Sequence, residues 1–180
     1  MPALSLKARI ALVACIALIA ACAGARGPAA DVSPSATAWG PEVQQAFARV
    51  RAATSRFHDL DSAVAAGYGR NVPRCIAHPH HGAMGFHHVN SALVDRQLEV
   101  ERPEILVFER GADGHYTLNG VEYIVPYARW PRDSVPPQIM GVSLLPADDL
   151  GLWYLHMWVW KNNELGLFAP WNPAVRCPAS

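Results

Sequence analysis

The chain has 180 residues, with 15 Lys and Arg against 15 Asp and Glu and 51% hydrophobic residues. That length and apolar content suit a single domain with one sizeable core. The balanced charge shows no basic patch, which excludes the electrostatic footprint of a nucleic-acid-binding protein.

At the start of the chain Lys7 and Arg9 precede the apolar run Ile10 to Ala21, which ends in Ile19-Ala20-Ala21-Cys22. This is a signal-peptide layout. The run of 12 residues is too short to cross a hydrocarbon core, which takes roughly 20. Small residues before Cys22 fit the site where a bacterial lipoprotein is cut and acylated. Residues 1–21 are therefore expected to be a leader, and Cys22 the lipid-bearing residue that anchors the chain to a membrane, facing the periplasm or the cell exterior. The alternative is an ordinary secretory peptide cut after Ala23 or Ala25; both readings export the domain. Without residues 1–21 the chain has 159 residues, with 13 basic and 15 acidic side chains.

Residues 22–40 are rich in Ala, Gly, Pro, Ser and Thr, have no apolar period, and read as a flexible tether. A single domain is expected over 41–180. Helical spacing begins at Pro41, a residue suited to a first turn, and continues through Val43, Phe47, Val50, Phe57, Leu60 and Val64. One or two helices are predicted to Ala66, with Asp59 or Asp61 capping the second and Gly67-Tyr68-Gly69 stopping it. Residues 71–90 are rich in Gly, Pro and His and read as an ordered loop covering one end of the domain, where function tends to sit. A short helix is expected over Ser91 to Val100.

Strand signals follow. Ile105-Leu106-Val107-Phe108 and Tyr116 to Val125 flank Gly111-Ala112-Asp113-Gly114, a hairpin pattern. Pro126 to Pro146 reads as a loop, and Trp153 to Trp160, apolar on both faces, as a central strand. These elements predict an α+β fold: an N-terminal helical segment packed on a mostly antiparallel sheet or partial barrel.

If Cys22 carries lipid and Cys15 lies in the leader, Cys75 and Cys177 remain in the folded part, and an oxidising compartment should pair them as a disulfide. Ligation of a metal by the two thiolates is the alternative; neither sits in a C-x-x-C unit.

Five of eight histidines fall in residues 78–88: His78, His80, His81, His87 and His88. Imidazoles at this density suggest a transition metal or a pH-sensitive surface, and solvated loop side chains are the plain alternative for the first three. Strand parity singles out two more residues. Glu122 shares a face with Leu118 and Ile124, which would aim its carboxyl into an apolar layer, to be protonated, paired with an Arg or bound to a cation. His156 shares a face with Tyr154, Trp158 and Trp160 and is a core imidazole, a ligand or a base.

One constellation combines these: His87 or His88, with Glu122 and His156. Two histidines and one carboxylate suit a single divalent zinc, copper or iron ion, with Asn90 or Tyr154 as supporting partners. The same groups could act without metal, as a general base and its orienting carboxylate. Arg70 or Arg74 is a candidate to hold an anionic small-molecule ligand, with a plain surface arginine as the default. No G-x-S-x-G, phosphate loop, H-E-x-x-H or C-x-x-C-H motif is present.

The elements Gly85-Phe-His87, Val121-Glu122-Tyr123, Leu155-His156-Met-Trp158-Val-Trp160 and Phe168-Ala-Pro-Trp-Asn-Pro-Ala-Val-Arg-Cys177 resemble those of a group of exported bacterial proteins, lipoproteins among them, with no established activity. The resemblance spans most of residues 59–177. It implies His87 rather than His88 as the site residue, and carries no catalytic role. The metal-binding reading through His87, Glu122 and His156, with or without enzymatic activity, stands against a non-metal ligand-binding or structural envelope lipoprotein in which an arginine pairs with Glu122.

Overall fold

The computed structural model describes residues 38–69 and 75–178. The expected leader, Cys22 and both Arg70 and Arg74 lie outside the described residues. Helix α1, Pro41–Thr54, has proline in its first turn and Arg51 in its last, which suits the orphan N–H groups at one end and the helix dipole at the other. It buries Val43, Ala46, Phe47 and Val50, a stripe of three- and four-residue spacing that faces one partner. A 3-10 turn, Ser55–His58, leads to α2, Leu60–Ala65, which Asp59 caps by accepting the N–H groups of Asp61 and Ser62.

The strands are β1 (Ile76–His78), β2 (Gly82–Val89), β3 (Ile105–Arg110), β4 (Tyr116–Pro126), β5 (Gln138–Ile139), β6 (Val142–Ser143), β7 (Leu145–Ala147) and β8 (Leu152–Met157). Six of them form a curled antiparallel sheet in the order β1-β2-β3-β4-β8-β7, and β5 with β6 makes a separate small hairpin. One sheet face carries Leu106, Phe108, Val121, Tyr123, Val125, Trp153, Leu155 and Met157, and joins Val43, Phe47 and Val50 of α1 in the main core. The opposite face carries the candidate site. The helical segment on an antiparallel sheet agrees with the α+β expectation, as does the β3–β4 hairpin around Gly111–Gly114.

Several local expectations are corrected. The segment expected as a loop holds β1 and all of β2, because its backbone pairs with β3 from Phe86 to Val89 although its side chains lack a clean alternation. No helix forms over 91–100; Leu93, Leu98 and Val100 still pack on the core, and the Tyr123 hydroxyl donates to the Val100 carbonyl, so apolar spacing there serves a wrapped turn segment. The last strand runs Leu152–Met157 and stops short of Trp160, whose indole N–H donates to Thr54 of α1. Within the expected 126–146 loop the chain makes β5, β6 and the start of β7.

Parity in β4 also differs. Val107 pairs with Gly120 but Phe108 with Leu118, so Asn119 is an extra residue, a β-bulge. The bulge flips parity, and Leu118 joins the main core, on the face opposite Glu122.

Candidate metal centre

Strand register places the three site residues. Glu122 of β4 lies directly opposite His156 of β8. Val107 of β3 lies opposite both His87 of β2 and Gly120 of β4. Glu122 lies opposite Ile105, so His87 and Glu122 sit two strands apart and two residues out of register, about 12 Å at the backbone, and their side chains converge across β3. His87 Nε2 is 3.4 Å from Glu122 Oε2. The His87 and His156 rings lie 6.1 Å apart at 83° to each other. Ligand atoms of His87, Glu122 and His156 all fall within 4.8 Å of one another. Atoms bound to one ion at about 2.0–2.2 Å are at most roughly 4 Å apart, so side-chain adjustment on the order of 1 Å closes the set.

The space between them depends on Gly120. A Cβ there would stand 3.5 Å from His156 Nε2 and 2.6 Å from the Met157 carbonyl; only glycine lets β4 approach β8 this closely while leaving the imidazole uncovered. On the other side, His156 stacks on the indole of Trp158 at 4.4 Å and 26°. Ile105, Val107 and Ile124 are buried beside the triad, with Tyr154 partly buried at its edge.

Burial sets the electrostatics. His156 is 1% exposed and Glu122 6%. Both nitrogens of His156 and Nδ1 of His87 are buried without a hydrogen bond among the described residues. Each unsatisfied buried polar group costs about 1–3 kcal/mol, and such a group calls for a specific role. Burial pushes the Glu122 carboxyl up to about 8. It pushes His87 down to about 4, the backbone of Gly85 opposing and His88 adding to the shift. Burial, then the proximity of His87, drives His156 well below its ordinary value. The His87–Glu122 contact has ion-pair geometry, but both shifts favour neutral partners near pH 7, and we read it as a carboxylic acid beside a neutral imidazole. Two neutral imidazoles with free lone pairs and one carboxyl form a donor set suited to zinc, copper or iron.

The other expected residues are elsewhere. His88 points to the opposite face against Phe108 and Tyr116. His78, His80 and His81 form a surface group at the β1–β2 turn, with His78 stacked on His81 at 4.4 Å and 5.2 Å from Trp171. Among the described residues, the triad is the one group of three or more potential ligands whose atoms converge. Asn90 is not a partner of the site: its amide donates to the Ala66 carbonyl and its Oδ1 accepts from Ala92, closing the end of α2. Tyr154 does share the Glu122 face, and its hydroxyl is raised by burial and by the carboxyl.

No family model, curated protein or solved structure matches the chain. The site must therefore be judged on its own geometry. Sequence reasoning missed Gly120 and Trp158 as parts of it. A glycine interrupting an otherwise apolar strand was the signal for the first, since it marks a bulge or a close backbone approach; Trp158 is indistinguishable in sequence from the core aromatics beside it.

Proposed function

We propose that this chain is an exported protein that binds one divalent transition metal through His87, Glu122 and His156. The observation that carries the reading is the convergence of three ligand atoms within 4.8 Å from three different strands, in a layer where both nitrogens of His156 find no hydrogen-bond partner among the described residues. Three protein ligands leave coordination positions open, as catalytic and ligand-binding centres do and closed structural sites do not. The competing structural role, an arginine neutralising a buried Glu122, has no support among the described residues, where the basic side chain within reach of the Glu122 carboxyl is that of His87.

Export is supported by the Cys75–Cys177 disulfide, which joins residues 102 apart in sequence and is consistent with an oxidising compartment. We further read Cys22 as the lipid anchor, on the leader pattern before it. Replacing Cys22 with Ser should move the protein from the membrane fraction to the soluble fraction.

Elemental analysis of the purified mature protein after incubation with Zn(II), Cu(II) or Fe(II) tests the metal reading. One ion per chain is expected, reduced to a trace in His156→Ala and in Glu122→Gln. Wild type without stoichiometric metal under all three conditions would refute it.

A further inference from the structure

The metal triad and the disulfide belong to one connected piece of structure, and Trp158 joins them. One side of its indole is stacked on His156. Trp158 forms a small buried apolar cluster with Ala83 and Val175, and Cys75 and Cys177 pack against that cluster. Its indole N–H donates to the Ala169 carbonyl at 2.7 Å and its backbone N–H to the Leu167 carbonyl at 3.0 Å. The C-terminal tail that supplies these acceptors is held against the sheet by backbone hydrogen bonds that Asn172 and Ala83 exchange and by the contact of Trp171 with His78, and Cys177 is bonded to Cys75. Cys75 immediately precedes β1, the edge strand paired to β2, which carries His87. Both cysteines are only half-buried, so the bond is open to attack by a thiolate.

Resting on the metal-binding reading above, we propose that Trp158 is a positioning residue for His156 and that the Cys75–Cys177 bond, by clamping the tail against Trp158, controls how tightly the triad retains its metal. The disulfide acts on the site without touching it. With the bond closed, the indole is packed between tail and imidazole, and His156 has one ring orientation. With the bond open, the tail keeps the Ala83–Asn172 pair, the Trp158 hydrogen bonds and the Trp171–His78 contact but loses its covalent tie, the indole gains freedom, and His156 loses its wall.

The reductant belongs to the class of dithiols. One thiolate attacks a sulfur of the Cys75–Cys177 bond to give a mixed disulfide, and the second thiol resolves it; two electrons and two protons pass to the protein, which keeps two thiols, while the dithiol becomes a disulfide. Loss of metal follows from loosened packing and needs no further redox step.

The test measures transfer of Co(II) from the loaded mature protein to a chromogenic chelator. Oxidised wild type is compared with the Cys75→Ser/Cys177→Ser variant, with circular dichroism confirming the fold. Transfer is expected at least tenfold faster from the serine variant. Trp158→Leu with the disulfide intact should be comparably fast, and combining it with the serine changes should add nothing; Trp158→Phe, which keeps an aromatic ring on His156, should retain most of the wild-type slowness. If the serine variant does not fold, loaded wild type is reduced with a phosphine, and the same acceleration is expected. Equal transfer rates from oxidised and disulfide-free protein would overturn the coupling while leaving the metal site intact, and fully additive effects of the Trp158 and cysteine changes would overturn the role of the indole. Absence of Co(II) from oxidised wild type would overturn both the metal site and its control.

Discussion

Two buried carboxyls, Glu122 and Glu104, make opposite cases at the residue scale. Glu122 faces two imidazoles and, among the described residues, accepts no backbone hydrogen bond, whereas Glu104 accepts the Ile124 N–H at 3.1 Å and lies on the main-core side near Tyr68 and Tyr123. Glu122 therefore has a functional signature and Glu104 a structural one. Replacing Glu122 with Gln should leave the metal-free protein within about 1 kcal/mol of wild type by denaturant unfolding at pH 4.5 or below, where the carboxyl is protonated in the folded and the unfolded chain alike and the amide has the same shape. A loss well above that would assign Glu122 to holding the fold. Glu104 predicts a pH dependence. Burial raises it from an ordinary 4.5 to about 8 in the folded state, so its contribution is complete below pH 4.5 and declines as the pH rises through 8, where the folded state must ionise it. The decline is at most about 1.4 kcal/mol per pH unit. Unfolding measured from pH 5 to 8 should show a falling stability that Glu104→Gln flattens, with Glu122→Gln as the background that removes the parallel contribution of the other carboxyl.

At the scale of elements, the placement of His87 depends on β2 lying close to β3. Gly85 has φ +116, and a Cβ there would come within 2.4 Å of the Phe108 carbonyl. Gly85→Ala should therefore destabilise the domain by about 2 kcal/mol or more, through both strain and a backbone clash; an unfolding midpoint equal to wild type would show that β2 can shift at no cost. Legibility of the sequence varied with the same physics. α1, the Asp59 cap and the β3–β4 hairpin were readable because their signals are local: a helical stripe, a capping residue, glycines between apolar runs. His156 and its neighbours Trp153 to Met157 were readable by parity, since β8 has no bulge. Glu122 was found for a partly mistaken reason, as the bulge at Asn119 reverses the face assigned to Leu118. β2 was not readable, because Gly82 to Val89 is a strand only by virtue of its partner β3, and long-range pairing overrides local composition. That His87 and Glu122 meet across an intervening strand is likewise a tertiary fact without a local signature.

The whole molecule is held by a core on one face of its sheet and a disulfide across its ends, with the candidate site on the other face. The Cys75–Cys177 bond closes a loop of 102 residues, which in the chain-entropy picture contributes up to about 4 to 5 kcal/mol. Substituting both cysteines by Ser should lower the unfolding free energy towards that amount, measured by urea titration at neutral pH; an unchanged midpoint would mean the tail is already fixed by the Ala83–Asn172 pair and the Trp158 contacts. The arrangement explains how one sheet can carry uncompensated polar groups on one face: the main core, with α1 against β3, β4 and β8, stabilises the register that forces His87, Glu122 and His156 together. The central claim, that this register builds a metal centre, is tested most directly by anomalous X-ray scattering from crystals of the metal-incubated protein. One anomalous peak is expected about 2 Å from ligand atoms of His87, Glu122 and His156. A peak only at the surface group of His78, His80 and His81, or none at the triad in metal-saturated crystals, would contradict it.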